Sequence, residues 1–223
     1  MRLFKFIGAQ HVFESLLFKR IKVSKPTEVN DPFEFCPFSF PSKLQRRAWR
    51  QGIIKAEKET GFISFSTNWE SPALWANYAE NHKGACLEFE VDQDAFRMPG
   101  KSPDLVEVTY KDELREFNYN ARKDPSILAE YVMYAFATKS KHWEYEDEWR
   151  LLVNLEDCFA KGSLHFKNFD QNFVLKKVIL GYRSEFSSDE IRGAFGSALI
   201  VETARPAFNS YKMTKQHAES MQK

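Results

Sequence analysis

The sequence predicts an α+β fold: a mixed, mostly antiparallel sheet with interspersed helices. Three observations predict it. Segments of strand length alternate irregularly with helix-spaced segments, so the regular strand–helix beat of a doubly wound fold is missing. Helix starts are punctuated by Ser71-Pro72, Asp124-Pro125 and a Ser187-x-x-Glu190 capping box. No repeat, low-complexity tract or linker divides the 223 residues, so residues 1–213 are expected to form a single globular domain and the polar residues 214–223 a frayed tail.

Each element has its own signal. "RLFKF" (2–6) reads as a strand, and 9–20 as a helix because Val12, Phe13, Leu16 and Leu17 share a face. "IKVS" (21–24) alternates like a strand. Pro26, Pro32 and Pro37 forbid regular structure across 26–38. A helix over 42–58 stops before Gly61, and "FISFS" (62–66) follows as a strand. The helix opened at Ser71-Pro72 is expected to run through Lys83 and to end at Gly84 as its C-cap. Strands are expected at 85–91 and 105–110, and a helix over 126–141. Further strands are expected at "WRLLVN" (149–154), "SLHFK" (163–167), "KKVILG" (176–181), "ALIVET" (198–203) and "FNSYKM" (208–213).

Composition narrows the function classes. The chain is 43% hydrophobic and 28% charged, which suits an ordinary globular protein. Its 15% aromatic share, with 21 Phe, predicts a core rich in rings, some of which could line a pocket for a planar ligand. The net charge of +1 steers the whole molecule toward neither nucleic acid nor membrane. A local exception is the helix at 43–58, where Lys43, Arg46, Arg47, Arg50, Lys55 and Lys58 form a basic surface: a solvated face, or a surface turned to nucleic acid. Cys36, Cys86 and Cys158 are odd in number and have no C-x-x-C spacing, which argues for a reducing compartment. The histidines lack metal-ligand spacing, and no metal site is expected. No apolar run approaches a membrane span and no cleavable leader is visible, so a cytoplasmic protein is expected. There is no G-x-G-x-x-G, Walker loop or G-x-S-x-G elbow, nor an acid two places before any lysine as in many metal nucleases.

Three stretches are candidates for a site. In "VNDPFEF", Asn30 and Asp31 precede a proline turn and could fix a loop over a ligand, or simply form an Asx turn. Ser64, Ser66 and Thr67 end a strand. On the next helix Trp75, Tyr78, Ala79 and His82 fall at i, i+3, i+4 and i+7, a core face or a site wall with polar tips. The third is "KHWEYEDEWRLLVNL" (141–155). If 145–149 are extended, Glu146 and Glu148 point to one side, where mutual repulsion would raise one pKa. The plainer alternative is a solvated loop in which Glu148 pairs with Arg150 or a lysine.

The pieces "LFKF" (3–6), "VNDPFEF" (29–35), "ISFSTN" (63–68), "ALWANYAENHKGACLEF" (73–89), "HWEYEDEWRLL" (142–152) and "KVILG" (177–181) together resemble a bacterial family catalogued as domain of unknown function 2971. The chain departs from it at Phe6, where a tyrosine is usual, and at Glu34 in the turn. The order of parts is also similar to that of the ADP-ribosyltransferase fold. That resemblance implies NAD as substrate, with Lys5 (or Arg2) as the first-strand anchor, Ser64 and Ser66-Thr67 as the strand-end hydroxyls, and Glu146-x-Glu148 as the late acidic pair. Glu148 would bind the ribose 2′-hydroxyl and face the oxocarbenium-like charge, and Glu146 would orient the acceptor. Aromatic walls would stack on nicotinamide. The resemblance further implies a nucleic-acid or protein acceptor and a toxin or phage-defence setting. Two rivals stand beside it: a metal-dependent nuclease or phosphoesterase holding Mg²⁺ on Asp31, Glu146 and Glu148, and a non-catalytic ligand-sensing or interaction module.

Overall fold

A computed structural model describes residues 1–97, 104–118, 120 and 123–217. Its frame is an eight-stranded sheet. Along the chain come β1 (Arg2–Ile7), α1 (Ala9–Leu17), β2 (Arg20–Val23), β3 (Phe38–Ser39), α2 (Lys43–Ala56), β4 (Thr60–Ser66), α3 (Pro72–Tyr78) and β5 (Ala85–Val91). Then follow β6 (Leu105–Glu107), β7 (Thr109–Lys111), β8 (Arg115–Glu116), α4 (Pro125–Phe136), β9 (Thr138–Ser140), β10 (Glu148–Asn154), β11 (Phe159–Lys161) and β12 (Leu164–Asn168). β13 (Phe173–Leu180), α5 (Ser188–Phe195), β14 (Ile200–Pro206) and β15 (Met213–Lys215) complete it. The large sheet runs β15-β14-β13-β5-β1-β4-β10-β6. Only β13–β14 is parallel within it, so the expected mixed, mostly antiparallel α+β architecture is what forms.

Alternation along the strands sorts the core. Leu3, Ile7, Ile63, Phe65, Leu87, Phe89 and Leu151 belong to one buried cluster, sealed by Val12 and Leu16 of α1 and Ile191 of α5. The remaining rings form two more clusters. Phe35, Phe38, Trp49, Phe62, Phe117 and Phe136 pack around α2 and α4; Phe4, Phe6, Leu74 and Trp75 pack beneath α3. The high phenylalanine content is therefore mostly core.

One break in the sheet matters for function. β1 meets β4 in register only at Phe4 and Ser66. Farther along β4, Phe62 exchanges both backbone hydrogen bonds with Ser24, at 2.8 and 2.9 Å. The two central strands thus splay apart, and a gap opens between the second and third ring clusters.

Several expected elements end early or break. α1 stops at Leu17, and Lys19 turns left-handed with φ 47°. α3 stops at Tyr78 because Glu80, Asn81 and His82 all adopt positive φ. Gly84 is therefore no helix cap. A Cβ there would fall 2.0 Å from the Ile7 carbonyl oxygen, so glycine serves a close approach of two backbones. The strand expected over 105–110 splits at Val108, with β6 pairing β10 and β7 pairing β9. The helix expected to reach 141 ends at Phe136, and the next residues form β9. The last strand is β15 rather than 208–213, with Phe208 and Tyr211 exposed in the loop before it. Of the tail expected from 214, residues 218–223 lie outside the described residues. No described helix is long and apolar enough to cross a membrane.

Candidate functional site

The gap between β1 and β4 is the mouth of a cavity of about 370 Å³. The extended reading of 145–149 fails locally. Residues 141–146 coil as a 3₁₀ helix, Asp147 turns left-handed at φ 47°, and β10 begins only at Glu148. Glu146 and Glu148 still converge on the cavity, but through this tight turn rather than through strand alternation. Asp147 is diverted outward, where its backbone carbonyl and carboxylate both accept from Thr67. The backbone N–H of Glu148 donates to the Tyr110 hydroxyl at 2.8 Å, which fixes where β10 starts.

The acidic stretch is not a solvated loop. Glu146 and Glu148 are 4% and 3% exposed, and they share a buried ionic cluster with Glu34, Lys139 and Arg150. Arg150 donates Nε to Glu148 Oε1 at 2.8 Å and Nη2 to Glu148 Oε2 at 3.0 Å. It also donates to the Phe136 carbonyl at 3.0 Å and to Glu34, and its guanidinium lies over the rings of Phe35 and Phe62. The pairing of Glu148 with Arg150, the plainer of the two sequence readings, is thus present, but in the core. Lys139 is delivered by the short parallel ladder of β9 with β7. Its Nζ lies 2.5 Å from Glu146, 3.4 Å from Glu148 and 3.8 Å from Glu34.

These contacts set the charges. Burial alone would raise Glu148, but Arg150 and then Lys139 outweigh it and hold the carboxyl at about 2. Burial dominates at Glu146 and Glu34, and both are raised. Burial pulls against the Lys139 ammonium, yet the three carboxylates raise it overall. Tyr78, on the last turn of α3, donates its hydroxyl to Glu146 and is raised by burial and by that carboxylate. Lys5 passes through the gap beside β4 and donates to the Ser64 carbonyl at 3.0 Å. Desolvation brings it down to about 8, against the opposing pull of Glu148.

Lys5, Asn30, Ser64, Ser66, Tyr78, Glu146 and Glu148 line this one cavity. The other candidates do not line it. Asp31 makes an Asx turn, accepting from Phe33 N at 2.9 Å, and lines a neighbouring cavity. Thr67 is engaged with Asp147. Trp75 is fully buried, with its indole N–H donating to the Trp69 carbonyl at 2.7 Å. His82 leaves the helix and stacks behind Trp75, away from the lining residues. Arg2 is an exposed surface group near Glu88. The sequence reading missed Glu34 and Lys139 as cavity residues, and it named Arg150 as a partner of Glu148 only in its plainer alternative, a solvated loop. Only Arg150 left a signal, its place two residues beyond Glu148 on one strand face.

The carboxylates converge on Lys139, the point a divalent cation would take. The trio Asp31, Glu146 and Glu148 needed for a Mg²⁺ site is not assembled, and among the described residues no group of three or more His, Cys, Asp or Glu is arranged to hold a metal ion. The three cysteines are free.

Residues 74–151 match the model of a family described as "Protein of unknown function (DUF2971)", which bears out the sequence resemblance over that stretch. The matched stretch holds most of α3, β9, the acidic turn and the start of β10, and with them Tyr78, Lys139, Glu146, Glu148 and Arg150. Nothing matches among the curated proteins, and nothing matches among the solved structures.

Proposed function

We propose that this cavity cleaves the bond between nicotinamide and ribose in NAD, so that the protein is an ADP-ribosyltransferase or an NAD glycohydrolase. The observation that carries the reading is Glu148: a carboxylate kept ionised and immobile on the wall of a nucleoside-sized cavity, beside two serines and a lysine. The cavity suits the nicotinamide–ribose half of the dinucleotide. Phe4, Phe6, Phe62 and Tyr78 give it an aromatic lining, and the carboxylates beside them favour the cationic pyridinium.

The chemistry asks for few groups. The C1′–N bond breaks with its electron pair going to the nicotinamide nitrogen, which becomes neutral as the ribose gains oxocarbenium character. Glu148 stabilises that charge without having to reorganise. The acceptor's lone pair then closes on C1′ and its proton passes to Glu146, whose pKa is raised by burial and which therefore holds a proton more readily than a free carboxylate. Lys5 is the cation left to hold a phosphate oxygen. With water as acceptor the outcome is hydrolysis; with a nucleic acid or protein it is transfer. A cytoplasmic location, where NAD and reduced thiols coexist, and a toxin or phage-defence role belong to the same proposal.

The test is NAD binding and turnover by wild type, Glu148→Gln and Ser64→Ala, with melting temperature followed in parallel. Turnover lost at Glu148→Gln in a folded protein supports the reading. A folded wild type that does not bind NAD overturns it, and the cavity would then be a sensing pocket for another ligand.

A further inference from the structure

A second cavity of about 410 Å³ adjoins the first, and Lys139 lines both. Its walls include Pro32, Phe33, Leu114 and Trp143, and its charged members are of both signs, Asp31, Asp112 and Glu113 beside Lys111 and Lys139. Phe33 is 52% exposed although it neighbours the buried Glu34, and Trp143 is half-buried with the Lys139 ammonium 4.7 Å from its ring centre. Asp31 is 5% exposed, and its Oδ2 accepts no hydrogen bond among the described residues. The wall thus combines the exposed Phe33 ring, a half-buried Trp143 ring that carries the Lys139 ammonium on one face, and one unmet buried acceptor.

A row of cations stands beside this cavity, outside its own lining. Arg50 of α2 reaches the Pro32 carbonyl at 3.5 Å, so α2 runs beside the opening. Lys43, Arg46, Arg47 and Arg50 stand at i, i+3, i+4 and i+7, one face of that helix. All four are exposed, and among the described residues none has a carboxylate within ion-pair distance. A row of unpaired cations leading to exposed rings is the arrangement that binds single-stranded nucleic acid: phosphates on the cations, bases on the rings. A basic peptide would be repelled by the same row, and a duplex keeps its bases inside the stack.

We propose that the second cavity, with the α2 cation row, binds a single-stranded nucleic acid and is the acceptor subsite. A base stacks on Trp143 or Phe33, its amino edge turns toward Asp31, and its phosphates follow Lys43, Arg46, Arg47 and Arg50. This rests on the proposed NAD chemistry for its meaning as an acceptor site, but the binding itself does not depend on it.

The test reads binding without NAD. Fluorescence anisotropy with a short labelled single strand of mixed sequence is measured against salt for wild type, Trp143→Ala and the double variant Arg46→Glu/Arg50→Glu. Wild type should bind, with affinity falling as salt rises. Trp143→Ala should weaken binding roughly tenfold while keeping the salt slope. The double variant should flatten the slope, and because both its sites are exposed it stands even if Trp143→Ala misfolds. No binding by wild type overturns the proposal; so does equal affinity for duplex, or binding untouched by the double variant. If the double variant loses the strand but still hydrolyses NAD, both proposals stand. If the strand binds and NAD is never turned over, only the catalytic reading fails.

Discussion

Arg150 holds Glu148 through two hydrogen bonds, at 2.8 and 3.0 Å, with the guanidinium fully buried against the rings of Phe35 and Phe62. A fork of this kind fixes both the charge and the direction of the carboxylate. It makes Glu148 a member of the core and of the cavity wall at once. Replacing Arg150 by Met should therefore leave the buried Glu148, Glu34 and Glu146 to share the single cation Lys139, at a cost of about 3–5 kcal/mol. Urea unfolding checks this; a loss below roughly 1 kcal/mol, the scale of an exposed pair, would mean the cluster is open to water.

That pair also shows what could be read from the sequence and what could not. The antiparallel frame, α2, α5 and the serines at the end of β4 were legible because apolar spacing and capping residues are local signals. The convergence of Glu146 and Glu148 was anticipated for the wrong reason. A left-handed Asp147 does the work assigned to strand alternation, and no local pattern announces a non-glycine residue at φ 47°. Glu34, Lys139 and Arg150 meet from distant segments, so their pairing is a tertiary fact without a sequence period. His82 was misplaced for a similar reason. Close packing at Gly84 and Gly181, where an added Cβ would meet a carbonyl oxygen at 2.0 Å in each case, requires the turn that ends α3 early.

Glu148 and Glu146 should respond unequally to removal. Glu148 is depressed from 4.5 to about 2, so its ionised form is favoured by folding. Its contribution is full above about pH 4.5 and is lost as pH falls toward 2, on the order of 3 kcal/mol in all. Glu146 is raised by burial, so its ionised form is disfavoured by folding. At pH 7, Glu148→Gln should then destabilise more than Glu146→Gln. Denaturant melts of both variants at pH 7 and pH 3 decide it: the gap between them should be wide at pH 7 and narrow at pH 3.

Lys5 gives an alkaline signature. Its pKa is lowered from 10.5 to about 8, so the unfolded chain binds more protons between those values and stability should rise with pH across that window. Function should move the other way. If the ammonium holds a phosphate oxygen, KM for NAD should climb above about pH 8 in wild type. In Lys5→Arg, whose charge persists, KM should stay flat. A KM profile identical in the two proteins would remove Lys5 from the binding role.

Tyr78 offers the sharpest separation of catalysis from folding. Its hydroxyl donates to Glu146, and that bond lowers the carboxyl against the larger effect of burial. Tyr78→Phe removes the donor and keeps the ring. The folded protein should lose about 1–3 kcal/mol, because a buried acceptor is left short of a partner. Glu146 should rise further, so that a higher pH is needed to ionise it. If Glu146 takes the acceptor's proton, the acid limb of the kcat–pH profile must shift upward in Tyr78→Phe, while KM, set by Lys5 and the ring faces, changes little. An unshifted acid limb at reduced kcat would mean that Glu146 shapes the pocket without moving a proton, and the base would have to be sought in the acceptor itself.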